Sequence, residues 1–142
     1  APLPVAHAED KPAVDVAALK AAARADKRAL VASTLKLSDA EAKKFWPLYD
    51  DFQRKQDALN RRTARLVEEV VAQTGPITEA HAKALLNESL AIEDEEMRAR
   101  RGYQSRLVKV LPATKVMRYL QLENKLRAVQ DYDIALVMPL LP

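Results

Sequence analysis

Val70-Val71-Ala72-Gln73-Thr74-Gly75-Pro76-Ile77-Thr78-Glu79-Ala80-His81 is the stretch on which the fold turns. Gly75-Pro76 cannot continue a helix, because glycine carries the largest entropic cost and proline lacks the backbone donor. Just beyond, Thr78 is placed as an N-cap and Glu79 puts an acid in the first turn, where the helix dipole favours it. Upstream, Phe45, Tyr49, Phe52, Gln56, Leu59, Thr63, Leu66 and Val70 recur by threes and fours, one stripe of a helix from about Asp39 to Gln73. Downstream, Leu85, Ile92, Ala99, Tyr103, Leu107 and Val110 do the same from about Glu79 to Leu111, with Gly102 as a local weak point. Two long helices joined by so short a turn run antiparallel.

The opposing charges agree with this hairpin. When the numbers of facing residues sum to about 153, Asp50 and Asp51 fall opposite Arg100 and Arg101, Arg61 and Arg62 opposite Glu93 and Glu95, and Arg65 opposite Glu88. Such exposed pairs contribute about 0–1 kcal/mol each, so they set register rather than stability.

Further out, Leu37-Ser38-Asp39-Ala40-Glu41 predicts the start of the first long helix, with Ser38 and Glu41 closing a capping box and Leu37 ahead of them as a hydrophobic staple. Leu111-Pro112-Ala113-Thr114-Lys115 opens a fourth helix to about Met138, with Val116, Leu120, Leu126, Val129, Ile134 and Val137 as its apolar set and Pro139 as its stop. A short Ala-rich helix from Asp15 to about Thr34, with Val16, Leu19, Ala23, Leu30 and Val31, has good propensity and a modest face. The expected architecture is all-α: a long antiparallel helical hairpin with a short N-terminal helix and a fourth C-terminal helix. Residues 1–12, with Pro2, Pro4 and Pro12, form a flexible lead, and 13–142 a single helical domain. Pro47 lies well inside the second helix and predicts a bend there. Trp46 and Tyr49 then either seal the elbow or stand on the bent surface; aromatic stripes bury, so packing against the fourth helix is the expectation.

Composition narrows the function. With 2 glycines in 142 residues, the chain is poor in the residues that sheet-rich and dinucleotide-binding folds use at their turns. Lys+Arg 23 against Asp+Glu 20 leaves a net charge of +3, too slight to imply nucleic acid. Cysteine is absent, so disulfides, thiolate zinc sites and thiol nucleophiles are excluded. No run approaches the roughly 18 apolar residues of a membrane span. Ala6-His7-Ala8 before Glu9-Asp10 has the small-x-small form of a signal-peptidase site, although the same residues suit an ordinary Ala-rich tail equally well.

Catalysis finds little material. His7 lies in the lead and His81 in a first helical turn, and no Ser/His/Asp set is offered, so we expect no enzyme and no cofactor. In the acidic run Glu93-Asp94-Glu95-Glu96 only Glu93 and Glu96 share a face, which suits a solvated side paired with Arg61 and Arg62. A metal site would have to join His81 to Glu41, Glu79 or Glu88, or draw on Met97, Met117 and Met138, without any metal-binding spacing. The most suggestive surface is basic: Arg54, Lys55, Arg61, Arg62 and Arg65, with Arg98, Arg100, Arg101, Arg106 and Lys109 across the hairpin. Partly cancelled by acids, it suits an acidic segment or a solvated ion-pair face and not specific DNA readout.

Leu37-Ser38-x-x-Glu41 followed by Phe45-Trp46-Pro47-Leu48-Tyr49, and Leu111-Pro112-x-x-Lys115 followed by Tyr119-Leu120-Gln121-Leu122-Glu123, resemble the repeated LTxxQ-type motifs of the Spy/CpxP-like periplasmic proteins. The likeness runs from about Leu37 to Val137, with Glu41 and Lys115 in place of the motif's Gln and Pro112 in place of its Thr. It implies a small exported all-α protein, commonly an antiparallel homodimer shaped as a bent cradle. Some members act as ATP-independent chaperones, some restrain envelope-stress signalling, and metal-responsive relatives bind zinc or other ions. The expectation carried forward is a periplasmic envelope-stress protein that holds unfolded clients on a helical surface through Arg54, Lys55, Arg61, Arg62, Arg65 and Trp46. The alternatives are a regulatory or metal-responsive sensor subunit that docks on a membrane signalling protein, and a structural module whose hairpin simply dimerises.

Overall fold

The computed structural model describes residues 16–142, with side chains from residue 21 onward. Four helices, α1 (Val16–Leu35), α2 (Asp39–Ala72), α3 (Glu79–Leu107) and α4 (Ala113–Val137), make up the structure, and the described residues include no strand. The all-α architecture is as expected. The lead 1–12, His7, the Ala6-His7-Ala8 segment and the expected helix start at Asp15 lie outside the described residues.

The chain divides into two compact units, one through Thr34 and the other from Leu35 to Pro142. In the first, the described side chains of α1 are mostly exposed and Val31 is buried. Lys36, just past α1, has φ 47°, the left-handed conformation that ends many helices and that a side chain normally disfavours.

In the second unit, α2 begins where its capping box predicts. Ser38 Oγ accepts from the Glu41 N–H at 3.2 Å, and Glu41 Oε1 accepts from the Ser38 N–H at 2.9 Å. Thr78 caps α3 in the same way, accepting from the His81 N–H at 3.2 Å. Gln73 reaches over the turn to donate to the Gly75 carbonyl at 3.0 Å. The helix α2 runs on through the exposed Pro47.

α3 stops at Leu107, four residues before the expected Leu111. Proline disfavours a helical conformation in the residue before it. The Leu107 carbonyl instead accepts from both Val110 and Leu111, at 3.0 Å each, closing a turn ahead of Pro112. Pro112 takes the N-cap place of α4, its carbonyl accepting from Lys115 and Val116 at 3.0 and 3.1 Å.

The contacts of α4 give its direction. Lys115 meets Glu41, Tyr119 meets Phe45, Glu123 meets Gln53 and Gln130 meets Asn60, so the two helices advance together and α4 runs parallel to α2. Their junction with α3 is aromatic. Phe45 stands edge-on to Tyr119 with centroids 5.2 Å apart, Tyr103 is edge-on to Tyr119 at 5.8 Å, and Phe52 stacks on Tyr103 at 4.2 Å. All four rings are buried, and such pairs contribute about 0.5–1.5 kcal/mol each beyond the area they remove from water. Leu59, Val70, Ile92, Leu107, Leu111 and Val116 extend the core along the hairpin. The α2 and α3 stripes are therefore the predicted ones. That of α4 differs: Val116 and Tyr119 are its buried residues, whereas Val129 and Val137 are exposed.

Candidate functional site

The basic residues singled out on α2 separate once they are wound at 3.6 residues per turn. Arg54, Arg61 and Arg65 fall on one side, opposite Phe45, Phe52 and Leu59, and all three are exposed. Lys43, overlooked in the linear run, joins them on that side, and the small exposed Pro47, Ala58 and Ala72 keep the surface between them low. Arg54 sits 3.6 Å from Asp51, and Arg61 has no ion-pair partner among the described residues.

Arg62 and Lys55 have other duties. Arg62 turns into the hairpin, where its Nε lies 2.7 Å from Glu88 Oε1 and its Nη1 2.6 Å from Glu95 Oε2. The Arg62 hydrogen bond holds the Glu88 carboxyl below its ordinary range, and Glu88 in return raises the Arg62 guanidinium. This residue is a clamp between α2 and α3, and it reaches acids on either side of the expected register. Arg65 lies beside Glu88 as expected, adding its charge to the same carboxylate, and the two line one shallow depression with Leu66 and Leu85. Lys55 sits 3.4 Å from Asp51, one turn earlier on its own helix.

Two predicted pairings are corrected. Asp51 meets Arg106 at 3.0 Å, five residues beyond Arg101, and that hydrogen bond holds its carboxyl low. Arg100 turns towards α4 instead: burial is the main influence lowering its pKa, the Arg127 charge adds to it, and Glu96 and Asp131 oppose it. Facing side chains recur every three or four residues, so a register estimated from the turn alone can miss the true partner by a turn.

Trp46 does not stand clear of the fold. It is half-buried, edge-on to Phe45 at 4.9 Å and to Tyr49 at 5.2 Å on its own helix; of the two aromatics expected to pack against α4, Tyr49 does so, buried with its ring 6.4 Å from Tyr119. Its remaining surface lines a shallow, mainly apolar depression with Asp39, Ala40, Ala42, Lys43 and Pro47, so Trp46 and Lys43 border one patch at the start of α2.

The two motif segments come together. Leu111 is buried and Leu37 half-buried, and Lys115 Nζ donates to Glu41 Oε1 at 2.7 Å and to the Lys36 carbonyl at 3.3 Å. The bond from Lys115, followed by that from the Ser38 N–H, keeps the Glu41 carboxyl below its ordinary value. Farther in, Tyr103 donates to the Tyr119 hydroxyl at 2.9 Å, Tyr119 donates to Glu123 Oε1 at 2.5 Å, and Gln53 donates to the same oxygen at 3.4 Å. Burial pushes both phenols well above the ordinary tyrosine value, so they stay neutral donors.

His81 lies 3.6 Å from Glu69, not beside Glu41 or Glu88, which Lys115 and Arg62 occupy. Among the described residues no group of three or more His, Asp or Glu side chains gathers as a metal site would require. Met97 and Met117 are exposed on different helices.

A second surface was missed in sequence. The distal half of α4 exposes Val129, Tyr132, Leu136 and Val137, and Leu140 follows beyond the helix. The signal was present: with Ile134 included, the apolar residues spread over about 200° of the helix, wider than one packing face covers.

No protein-family model, curated protein or solved structure matches the chain.

Proposed function

We propose that this chain is an ATP-independent holding protein of the periplasm, of the Spy/CpxP-like kind, which keeps unfolded, acid-bearing clients from aggregating. The observation that carries the proposal is the pairing of two exposed surfaces of opposite character. One is the basic side of α2 with Lys43, Arg54, Arg61 and Arg65; the other is the uncovered apolar end of α4 with Val129, Tyr132 and Leu136. Exposed apolar side chains in such number mark an interaction surface. Flanking charge accelerates encounter and favours partners of the opposite sign. The envelope setting is supported by the two motif segments, Leu37-Ser38-x-x-Glu41 and Leu111-Pro112-x-x-Lys115, which resemble those of exported proteins. No described helix is long and apolar enough to cross a membrane.

The test is suppression of aggregation of reduced α-lactalbumin, an acidic client, by substoichiometric to equimolar chain without nucleotide. Suppression that weakens with added salt is the expected result, because screening acts on the basic surface. The variant Arg54→Glu/Arg61→Glu/Arg65→Glu should lose the salt-sensitive part. Val129→Ser/Leu136→Ser should lose a part that salt does not touch. Absence of suppression at low salt overturns the proposal, as does stoichiometric capture of one folded envelope protein by a chain that suppresses nothing.

A further inference from the structure

Three cations cross between helices and each meets an acid: Arg62 reaches Glu88 and Glu95, Arg106 reaches Asp51, and Lys115 reaches Glu41, all at 3.0 Å or closer. Arg100 and Arg127 break that pattern. Both are half-buried, one on α3 and one on α4, and no described acid lies within ion-pair reach of either. Arg127 Nη2 donates to Asn124 Oδ1 at 2.8 Å, a neutral acceptor on its own helix. The Nε of Arg100 is buried with no hydrogen-bond partner. The Arg127 charge is near enough to act on Arg100, so two guanidinium groups approach each other with no carboxylate bonded to either. An unpaired buried donor is costly and uncommon, and a bound ion is one of the few things that offsets it.

The acids of this region are displaced, not missing. Glu96 lies one turn before Arg100 on α3 and Asp131 one turn after Arg127 on α4, and both act on Arg100 without bonding to it. Because α3 and α4 run antiparallel, those two steps lead the same way along the bundle. The cations are therefore set together, and the acids stand one turn farther on, about 6 Å along the axis for four residues.

Each half of this arrangement selects one half of a ligand. Two guanidinium forks on different helices call for an anion with oxygens for both; a phosphate has them, whereas a carboxylate has a single pair to share. The acids repel a long polyanion and favour an ammonium group set back from the phosphate. An α-amino acid, with one carbon between its charged groups, is too short to serve both halves.

We infer that Arg100 and Arg127 form a binding site for a phosphoethanolamine group, its phosphate bridging the two guanidinium groups through the Arg100 Nε–H and its ammonium held by Glu96 and Asp131. The group occurs free, as a small phosphomonoester, and as a lipid headgroup. The site lies on α3 and α4, apart from the basic side of α2, and does not depend on client holding.

Nitrogen NMR of the full chain reads the site directly, because an Nε–H that gains an acceptor moves its signal. O-phosphoethanolamine should shift the Arg100 Nε–H signal saturably, with half-saturation at about 1 mM, a value suited to so small a ligand. Inorganic phosphate should bind several-fold more weakly, and glycine should leave the signal in place. In calorimetry, Arg100→Gln and Arg127→Gln should each weaken binding of O-phosphoethanolamine by about tenfold or more. Neither variant breaks an ion pair of the free chain, so both should keep its helicity. Arg100→Lys, which retains the charge and lacks the Nε–H, should weaken binding as well. In Glu96→Gln/Asp131→Asn the advantage of O-phosphoethanolamine over inorganic phosphate should vanish. Phosphatidylcholine vesicles with and without phosphatidylethanolamine separate the two sources. A shift that requires the ethanolamine lipid assigns the headgroup; silence of both vesicles beside saturable binding of the free ester assigns the soluble compound. No saturable shift up to about 10 mM, binding indifferent to Arg100→Gln and Arg100→Lys, a preference that survives in Glu96→Gln/Asp131→Asn, or an equal response to the two kinds of vesicle overturns the inference.

Discussion

Lys115 Nζ and Glu41 Oε1 lie 2.7 Å apart, joining the starts of two helices that are separated by 74 positions in the chain. The same carboxylate oxygen accepts from the Ser38 N–H, so one atom both completes the cap of α2 and ties α4 alongside it. Glu41→Gln and Lys115→Met should each lower the thermal midpoint, and together they should lower it by less than the sum of the two. Exchanging the residues, Glu41→Lys/Lys115→Glu, should recover only part of the loss, because a lysine at 41 has no acceptor for Ser38. Ser38→Ala, which removes the other half of the box, should cost about 1 kcal/mol in urea unfolding.

Acid should loosen the same contacts. The carboxyls of Glu41, Glu88 and Asp51 are held below the ordinary carboxylate range, foremost by hydrogen bonds from Lys115, Arg62 and Arg106 respectively. A depressed folded-state value means that the unfolded chain binds the proton more readily. The stabilisation is therefore complete above the ordinary carboxylate range and disappears as pH falls through the lowered values. Urea midpoints recorded against pH should decline below about pH 4.5. In Glu41→Gln/Glu88→Gln the decline should be shallower, from a lower plateau.

The buried hydroxyl relay predicts an unequal pair. Tyr119→Phe leaves the Tyr103 hydroxyl without its acceptor and Glu123 without its shortest donor, and should cost about 1–3 kcal/mol. Tyr103→Phe removes a donor at the end of the relay while Tyr119 keeps its bond to Glu123, and should cost about 0.5–1.5 kcal/mol. Equal losses in chemical denaturation would show that the relay does not run in this direction.

Relieving Lys36 should be stabilising. Its φ of 47° suits glycine, and Lys36→Gly keeps the carbonyl that Lys115 uses. A gain of up to about 1 kcal/mol is expected in urea unfolding, while the β-branched Lys36→Val should lose more than that.

The parts of the fold legible in sequence are those governed by neighbours along the chain. Ser38 with Glu41, Thr78 beyond Gly75-Pro76, and the spacing of Phe45, Phe52 and Leu59 all act within a turn or two, and each element starts where they place it. The meeting of Glu41 with Lys115 was hidden because each looked like a local departure from a motif; the parallel course of α4 along α2 makes them partners. By spacing, Val129 and Val137 belong to the packing face and Tyr119 only to a motif, and the ring of Phe45 reverses that order. The basic run is visible in sequence, and its division follows from the helical winding: Arg61 and Arg62 are adjacent in sequence and about 100° apart on the helix, enough to send one to solvent and the other into a clamp on Glu88 and Glu95.

The burial of Val116 and Tyr119, confined to the first two turns of α4, sets up a gradient of local opening along that helix. Amide protons around Tyr119 should exchange with solvent only when the whole unit unfolds, while those near Leu136 are released by fraying of the far end. A helix end that melts and re-forms cheaply can adjust its outline to whatever lies against it. Shape selectivity is thereby given up for breadth, which is what the proposed holding role requires.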